Sequence, residues 1–403
     1  MRRHTMRKKS IAAAAAGALA MGAWAQSPSV SGPATAPDQD ARRAQSEAES
    51  RARAASASSV SLYGLVDTGV EYVNNIGPGP GSGHVIRMPS LTGSLPSRWG
   101  VRGVEDLGDG LRGVFVLESG FAPDAGGLNQ GGRGFGRQSF VGLSGGWGTV
   151  TVGRQYTMLF WSILDADVLG PNIYGSGSLD AYIPNARADN SIVYRGTFGG
   201  LTLGASYSLG RDAANAGPSP AGTNCPGESV TSSKACREWS ALLKYDTAAW
   251  GTALAVDEIR GGPGAFAGLV SGALKDRRIS ANGYVKLGQG QLSAGLIRRD
   301  NDADRLTPRS DLWYVGASYP VLPTLTLDAQ IFRLGYKNSR NSATLGALRG
   351  TYHLSRRTAL YATVGHIANE GTLALSVSSG AAGSNPIAGG SQTGVMLGMR
   401  HLF

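Results

Sequence analysis

Arg137-Gln138-Ser139-Phe140-Val141-Gly142-Leu143 and Thr149-Val150-Thr151-Val152-Gly153-Arg154 are two short alternating segments, and Ser191-Ile192-Val193-Tyr194-Arg195 takes up the alternation again. Between them runs a long irregular stretch, Tyr156 to Asp189, with Gly, Pro and several Asp. Side chains two apart share one face of a strand. A structureless connector beyond ~15 residues is uncommon in a compact domain and is usually functional. The pattern predicts a loop that folds into a barrel and narrows it. Arginines on the flanking strands would then face the loop's aspartates across a water-filled gap.

The same grammar extends in both directions. Val60, Leu62, Val66, Val70 and Tyr72 alternate with Ser59, Ser61, Asp67 and Glu71. Near the end, Leu325, Leu327, Ala329 and Ile331 alternate with Thr324, Thr326, Asp328 and Gln330. In a soluble sandwich the apolar face would pack inward. The connectors argue otherwise. Short ones such as Glu105–Gly110, Gly145–Gly148, Phe198–Gly200 and Thr247–Trp250 alternate with long ones near 74–90, 122–133, 156–189, 210–236, 261–275, 300–309, 337–341 and 370–390. An even number of strands, about sixteen, with short turns at one end and long loops at the other, marks an outer-membrane barrel. Closure satisfies every strand edge where hydrocarbon offers no hydrogen bonds. The fold read here is all-β: a 16-stranded antiparallel transmembrane barrel whose third external loop turns inward. Aromatics near strand ends, among them Tyr63, Trp99, Phe115, Phe140, Trp147, Tyr194, Trp250, Tyr361 and Phe403, read as girdles at the headgroup level.

Composition agrees. The 403 residues include 60 glycines, which suits many short strands and turns. The net charge is +10, and half of it comes from Arg2, Arg3, Arg7, Lys8 and Lys9. Those cations precede an apolar run, Ile11 to Ala23, and the small-x-small site Ala23-Trp24-Ala25, so residues 1–25 read as a secretory signal. Residues 26–57 carry no apolar stripe and read as a flexible periplasmic tether, removed if cleavage falls after Ala57. Residues 58–403 form the barrel domain. Cys225 and Cys236 are the two cysteines, and in an exported chain a disulfide closing a surface loop is the expectation. No zinc site follows from two cysteines with no histidine nearby, and no cofactor is expected.

A barrel of this size is too wide for side chains to fill, so whatever narrows it sets its function. Parity places Arg98 and Arg102 opposite Trp99 and Val101. It sets Arg137 away from Phe140, and Arg195 with Ser191 and Val193. Charges facing lipid are costly, so these arginines belong on the water side, with Arg112 and Glu118 sharing the inward face of the third strand. Across from them the loop would supply Asp165, Asp167 and Asp180. Rings of charge set ion preference, and arginine suits the task because it stays protonated and holds a planar donor fork.

These residues resemble the general diffusion porins of Gram-negative β-proteobacteria. The resemblance rests on Ser59-Val-Ser-Leu-Tyr-Gly-Leu-Val-Asp-Thr-Gly-Val-Glu-Tyr72, Ser97-Arg-Trp-Gly-Val-Arg-Gly-Val-Glu-Asp-Leu-Gly-Asp-Gly-Leu111, Phe135-Gly-Arg-Gln-Ser-Phe-Val-Gly-Leu-Ser144 and Asp189-Asn-Ser-Ile-Val-Tyr-Arg195. The end, Gly398-Met-Arg-His-Leu-Phe403, is similar to the family's terminal phenylalanine assembly signal. The resemblance implies a homotrimer in the outer membrane, in contact with lipid and lipopolysaccharide. It also implies an inward third loop, and basic constriction residues at Arg98, Arg137 and Arg195. The tether departs from the pattern, since members usually begin the first strand directly after the signal.

The expected function is a passive channel for small hydrophilic solutes and ions, mildly anion-preferring. One alternative is a barrel enzyme, a protease or lipase, which needs a nucleophile–base set. His4, His84, His353, His366 and His401 have no such set around them in the sequence. Another is an adhesin-like structural barrel, which has no use for an inward loop. A nucleic-acid partner is excluded by export and by the lack of any basic–aromatic motif.

Overall fold

Asp109 and Gly110 make the first tight turn, both with positive φ (52° and 77°), between the paired residues Gly108 and Leu111. A two-residue loop of this kind matches the twist of the strands it joins. It links β3 (Arg98–Gly108) to β4 (Leu111–Gly120). Before them come β1 (Ser59–Asn74) and the short return strand β2 (His84–Arg87). After them come β5 (Gln138–Gly145), β6 (Gly148–Tyr156), β7 (Arg187–Phe198), β8 (Leu201–Ser208), β9 (Glu238–Asp246) and β10 (Trp250–Arg260). The series ends with β11 (Lys275–Leu287), β12 (Gly290–Asn301), β13 (Arg309–Leu322), β14 (Leu325–Tyr336), β15 (Ser342–His353), β16 (Thr358–Glu370) and β17 (Ser391–Leu402). This computed structural model describes residues 58–77, 83–211, 225, 227–265, 268–378 and 383–403. The signal and tether expected over 1–25 and 26–57 lie outside them.

Every neighbouring pair is antiparallel, and the sheet closes. β1 pairs with β17 from Leu65↔Leu402 to Val73↔Gly394, and on its other side with β3 from Ser59↔Val104 to Leu65↔Arg98. β2 lies inside the first long connector and pairs only with the upper part of β1. Sixteen strands therefore form the barrel, and the long and short connectors fall where the sequence puts them. The last residue completes the seam: Gly64 N donates to Phe403 O at 3.1 Å, and Phe403 N donates to Gly64 O at 3.0 Å.

The apolar face points outward. Val60 and Leu62 are 70% and 65% exposed, while Asp67 and Glu71 on the other face are buried. β14 repeats this, with Leu327 and Ile331 outside and Thr326, Asp328 and Gln330 inside. Three aromatics depart from the girdle reading. Tyr63 donates to Glu118 at 3.1 Å and Tyr361 to Asp67 at 2.6 Å, so both rings face inward. Phe140 lies on the inward register of β5, opposite Val116 and Gly153. Inward aromatics suit this barrel because its lumen holds packed protein as well as water.

That protein is the loop 157–186. It contains α1 (Met158–Ile163) and α2 (Ser176–Leu179). Its Ile163, Leu169, Ile173, Tyr174, Leu179 and Ile183 pack in one buried cluster with Leu312, Phe332, Leu345 and Ile367 from β13–β16. Each such side chain removed from water is worth about 2 kcal/mol. Dry packing fixes the loop on one wall and leaves open space against the opposite one.

Candidate functional site

The open space runs along β3–β7, and arginines line it. A cavity of about 480 Å³ lies between Arg98, Arg137 and Arg187 on the wall and Leu164, Pro171, Asn172 and Pro184 of the loop. Glu118 sits among the wall cations. Arg137 Nε donates to Glu118 Oε1 at 2.8 Å, and Arg98 Nε lies 3.6 Å from Oε2. Tyr156 joins the next pair, its oxygen accepting from Arg137 at 2.6 Å and from Arg187 at 2.5 Å. Its ring stacks on Phe160 with centroids 3.8 Å apart, and the Arg187 guanidinium covers it at 4.3 Å.

A bulge supplies part of this geometry. Gly153 has φ +132°, and a Cβ there would stand 2.2 Å from Ser139 O, so only glycine fits. The register shifts between Gly153 and Gln155. As a result Arg154 and Gln155, consecutive residues, are both buried. Arg154 and Arg133 then share Asp189, at 2.7 and 3.1 Å.

A second cavity of about 850 Å³ opens nearer the short turns. Arg102, Arg195, Gln138, Phe140, Thr151 and Trp161 are among its lining residues. Arg195 lies 3.9 Å over the Trp161 ring, and Arg102 lies 4.9 Å over Tyr63. Arginine tolerates both contacts because its charge is delocalised and weakly hydrated.

The structure thus brings Arg98, Arg137 and Glu118 together and sets Arg102 and Arg195 in the wider cavity beyond them. Arg112 takes the inward register too, opposite Asp106 and Ser144, about 20 Å along β4 from Glu118. Arg137 points inward for a reason other than parity. It precedes β5, which starts at Gln138, and Phe140 on that strand also points inward.

The loop acids correct the expected facing row. Asp180 accepts from Arg278 of β11 at 2.7 and 3.2 Å. Burial pushes its carboxyl up, but Arg278 and Arg299 outweigh this and hold it below the usual aspartate range. Asp167 accepts from Ser176 at 2.6 Å within the loop, and Asp165 meets Lys244 of β9 at 2.5 Å. Asp180 and Asp165 tie the loop to the wall and Asp167 ties the loop to itself; the buried carboxylates Asp167 and Asp180 need such partners. None stands across from the Arg98–Arg137–Arg187 wall.

Parity could have found Arg187 but not Tyr156, which shares its parity with the outward Val150 and Val152 and turns inward only past the bulge at Gly153. Arg187 lies on β7 at the same parity as Arg195, but it falls where the irregular stretch ends. Cys225 and Cys236 are joined in a disulfide in the fourth long loop.

A closed sixteen-stranded barrel with an inward loop and a water-side arginine wall defines a β-barrel channel of the outer membrane. Residues 12–372 match the family described as Gram-negative porin. Outer membrane porin protein 32 of Delftia acidovorans is 31% identical over 359 residues, 86% of this chain and 94% of that protein. An outer membrane porin protein of Bordetella pertussis is 36% identical over 165 residues, 38% of this chain and 43% of that protein. The solved anion-selective porin from Comamonas acidovorans superposes with a TM-score of 0.68 at 26% identity, covering 86% of this chain and all of that one. The chain belongs to the Gram-negative porin family and crosses the outer membrane with its strands.

Proposed function

We propose that this porin is a passive conduit for small hydrophilic solutes with a mild preference for anions, set by Arg98, Arg137 and Arg187. One observation carries the reading. Three guanidiniums line the narrow cavity, Glu118 is the carboxylate among them, and the described loop residues opposite are uncharged. Arg187 Nε adds a buried N–H without a hydrogen-bond partner. A positive wall attracts anions, and the Glu118 carboxylate held between Arg98 and Arg137 keeps that preference mild. A relative described as anion-selective points the same way.

His366 meets Thr393 at 2.8 Å and His401 meets Thr358 at 2.9 Å. Both contacts join facing residues of β16 and β17 in the barrel wall. Assembly as a homotrimer completes the proposal, and the mass of the detergent-solubilised protein tests it.

The deciding experiment is a reversal potential in a KCl gradient. The native channel gives a potential on the chloride side of zero. Arg98→Gln, Arg137→Gln and Arg187→Gln together move it to zero or past it. An unchanged potential refutes the assignment.

A further inference from the structure

Two rows of the lumen wall break the rule that a water-side position is polar. One runs Arg102, Val116, Phe140 and Gly153 across β3–β6, each paired with the next. The row one step nearer the short turns runs Val104, Val114, Gly142 and Thr151. Val104, Val114, Val116 and Phe140 thus put four apolar side chains on the lumen side of adjoining strands. The loop does not explain them. Its dry packing is on β13–β16, and none of the four belongs to the clusters that seat it. All four line the cavity of about 850 Å³.

That cavity has the makeup of a small-molecule site, an apolar floor with a few placed polar groups. Phe140 is half-buried, and the glycines beside it, Gly142 and Gly153, put no side chain over its ring. Trp161 of α1 closes the loop side, seated on Met158, Val193 and Leu242. The charge is one-sided. Arg102 and Arg195 line the cavity, and none of the described lining residues is acidic. Arg102 lies 4.9 Å over the Tyr63 ring, a contact that orients a guanidinium without neutralising it. Arg102 and Phe140 are two strands apart, about 10 Å between backbones. A carboxylate attached directly to a ring can therefore meet the guanidinium and the phenyl ring at once. Aromatic rings attract one another beyond the area they bury, and Phe140, Tyr156 and Trp161 all line this space.

We propose that this cavity is a binding subsite for a small aromatic carboxylate, its ring on Phe140 and the three valines and its carboxylate on Arg102. The subsite rests on the anion-conducting reading and deepens it, and it is separate from the Arg98–Arg137–Arg187 wall.

The test is block of the chloride current through the reconstituted full chain in dilute KCl, where charges are least screened. The probes are benzoate, acetate, cyclohexanecarboxylate and benzyl alcohol. Benzoate half-blocks at about a tenth of the acetate concentration, because the ring adds buried apolar area. Cyclohexanecarboxylate needs about threefold more than benzoate, and benzyl alcohol, with the ring and no charge, blocks more weakly still. Phe140→Thr brings benzoate to the level of acetate. Arg102→Gln weakens benzoate about tenfold and leaves benzyl alcohol unchanged. The comparison among probes on the native channel stands without any variant. Equal block by benzoate and acetate, in a channel whose reversal potential lies on the chloride side, overturns the subsite and leaves the anion preference standing. A native potential on the cation side overturns that preference, and the subsite with it. Cyclohexanecarboxylate or benzyl alcohol as effective as benzoate overturns the subsite, as does a Phe140→Thr channel that keeps the native preference for benzoate.

Discussion

Glu118 is the residue on which the wall turns. Two guanidiniums converge on its carboxylate, and like charges this close and this dry repel strongly without it. Glu118→Gln leaves Arg98 and Arg137 uncompensated and costs about 3 kcal/mol of stability. The same change removes a negative charge from the lumen, so the reversal potential moves further toward chloride. Thermal unfolding in detergent reads the first effect and a KCl gradient the second. A stability loss with no electrical shift would place Glu118 outside the field of the permeating ion. At this scale the sequence was partly legible. Parity put Arg98, Arg102 and Arg195 on the water side, because lipid punishes charge in every strand alike. It could not place Asp165, Asp167 or Asp180. A loop has no period, and each carboxylate went to whichever cation its burial required. It also missed Phe140, whose face is set by the start of β5 and not by its hydrophobicity.

The inward loop behaves as an element attached by two kinds of bond. Apolar packing on β13–β16 is one. The other is a set of buried ion pairs and carbonyl contacts. Arg349 is central, reaching Asp328 at 2.9 Å, Val168 O and Leu169 O at 3.3 Å and Gly93 O at 3.1 Å. Arg349→Met strands Asp328 and frees two loop carbonyls, a loss of about 3 kcal/mol or more. Open-channel current noise rises accordingly; a quiet channel of native conductance would show that packing alone holds the loop. Asp180 adds a pH term. Its carboxyl is held below the ordinary value of 3.8, so its contribution is complete at neutral pH and is lost as pH falls below that value. Noise should therefore grow in acid, and Asp180→Asn should remove that growth while raising noise at pH 7. An identical acid response in the variant would assign it to another group. The disulfide is a contrast. Cys225 and Cys236 close a stretch of the fourth long loop with Ala235 packed beside them, and neither cysteine lines either cavity. Reduction leaves conductance within about a tenth of native, since a covalent bridge acts mainly on its own loop. A large change on reduction would place that loop in the ion path.

The whole barrel was the most legible level, because its constraint is global. Sixteen strands must all turn apolar outward, alternate long and short connectors, and close on themselves. One misread strand does not hide that pattern. What the sequence could not show is how closure is sealed, since the seam joins residues more than three hundred positions apart. Gly64 and Phe403 exchange two backbone hydrogen bonds there, and the Phe403 ring covers Gly64 so closely that a Cβ would stand 2.2 Å from it. Gly64→Val forces the ring off the seam and costs about 1–3 kcal/mol, as overpacking does. Phe403→Ala removes the ring and weakens the seam by itself. The two effects share one contact, so the double variant should lose less than the sum of the single losses. The temperature at which the folded band disappears on semi-native gels measures each loss. Strict additivity would mean that the ring and Gly64 act separately, and that closure depends on the backbone pair alone.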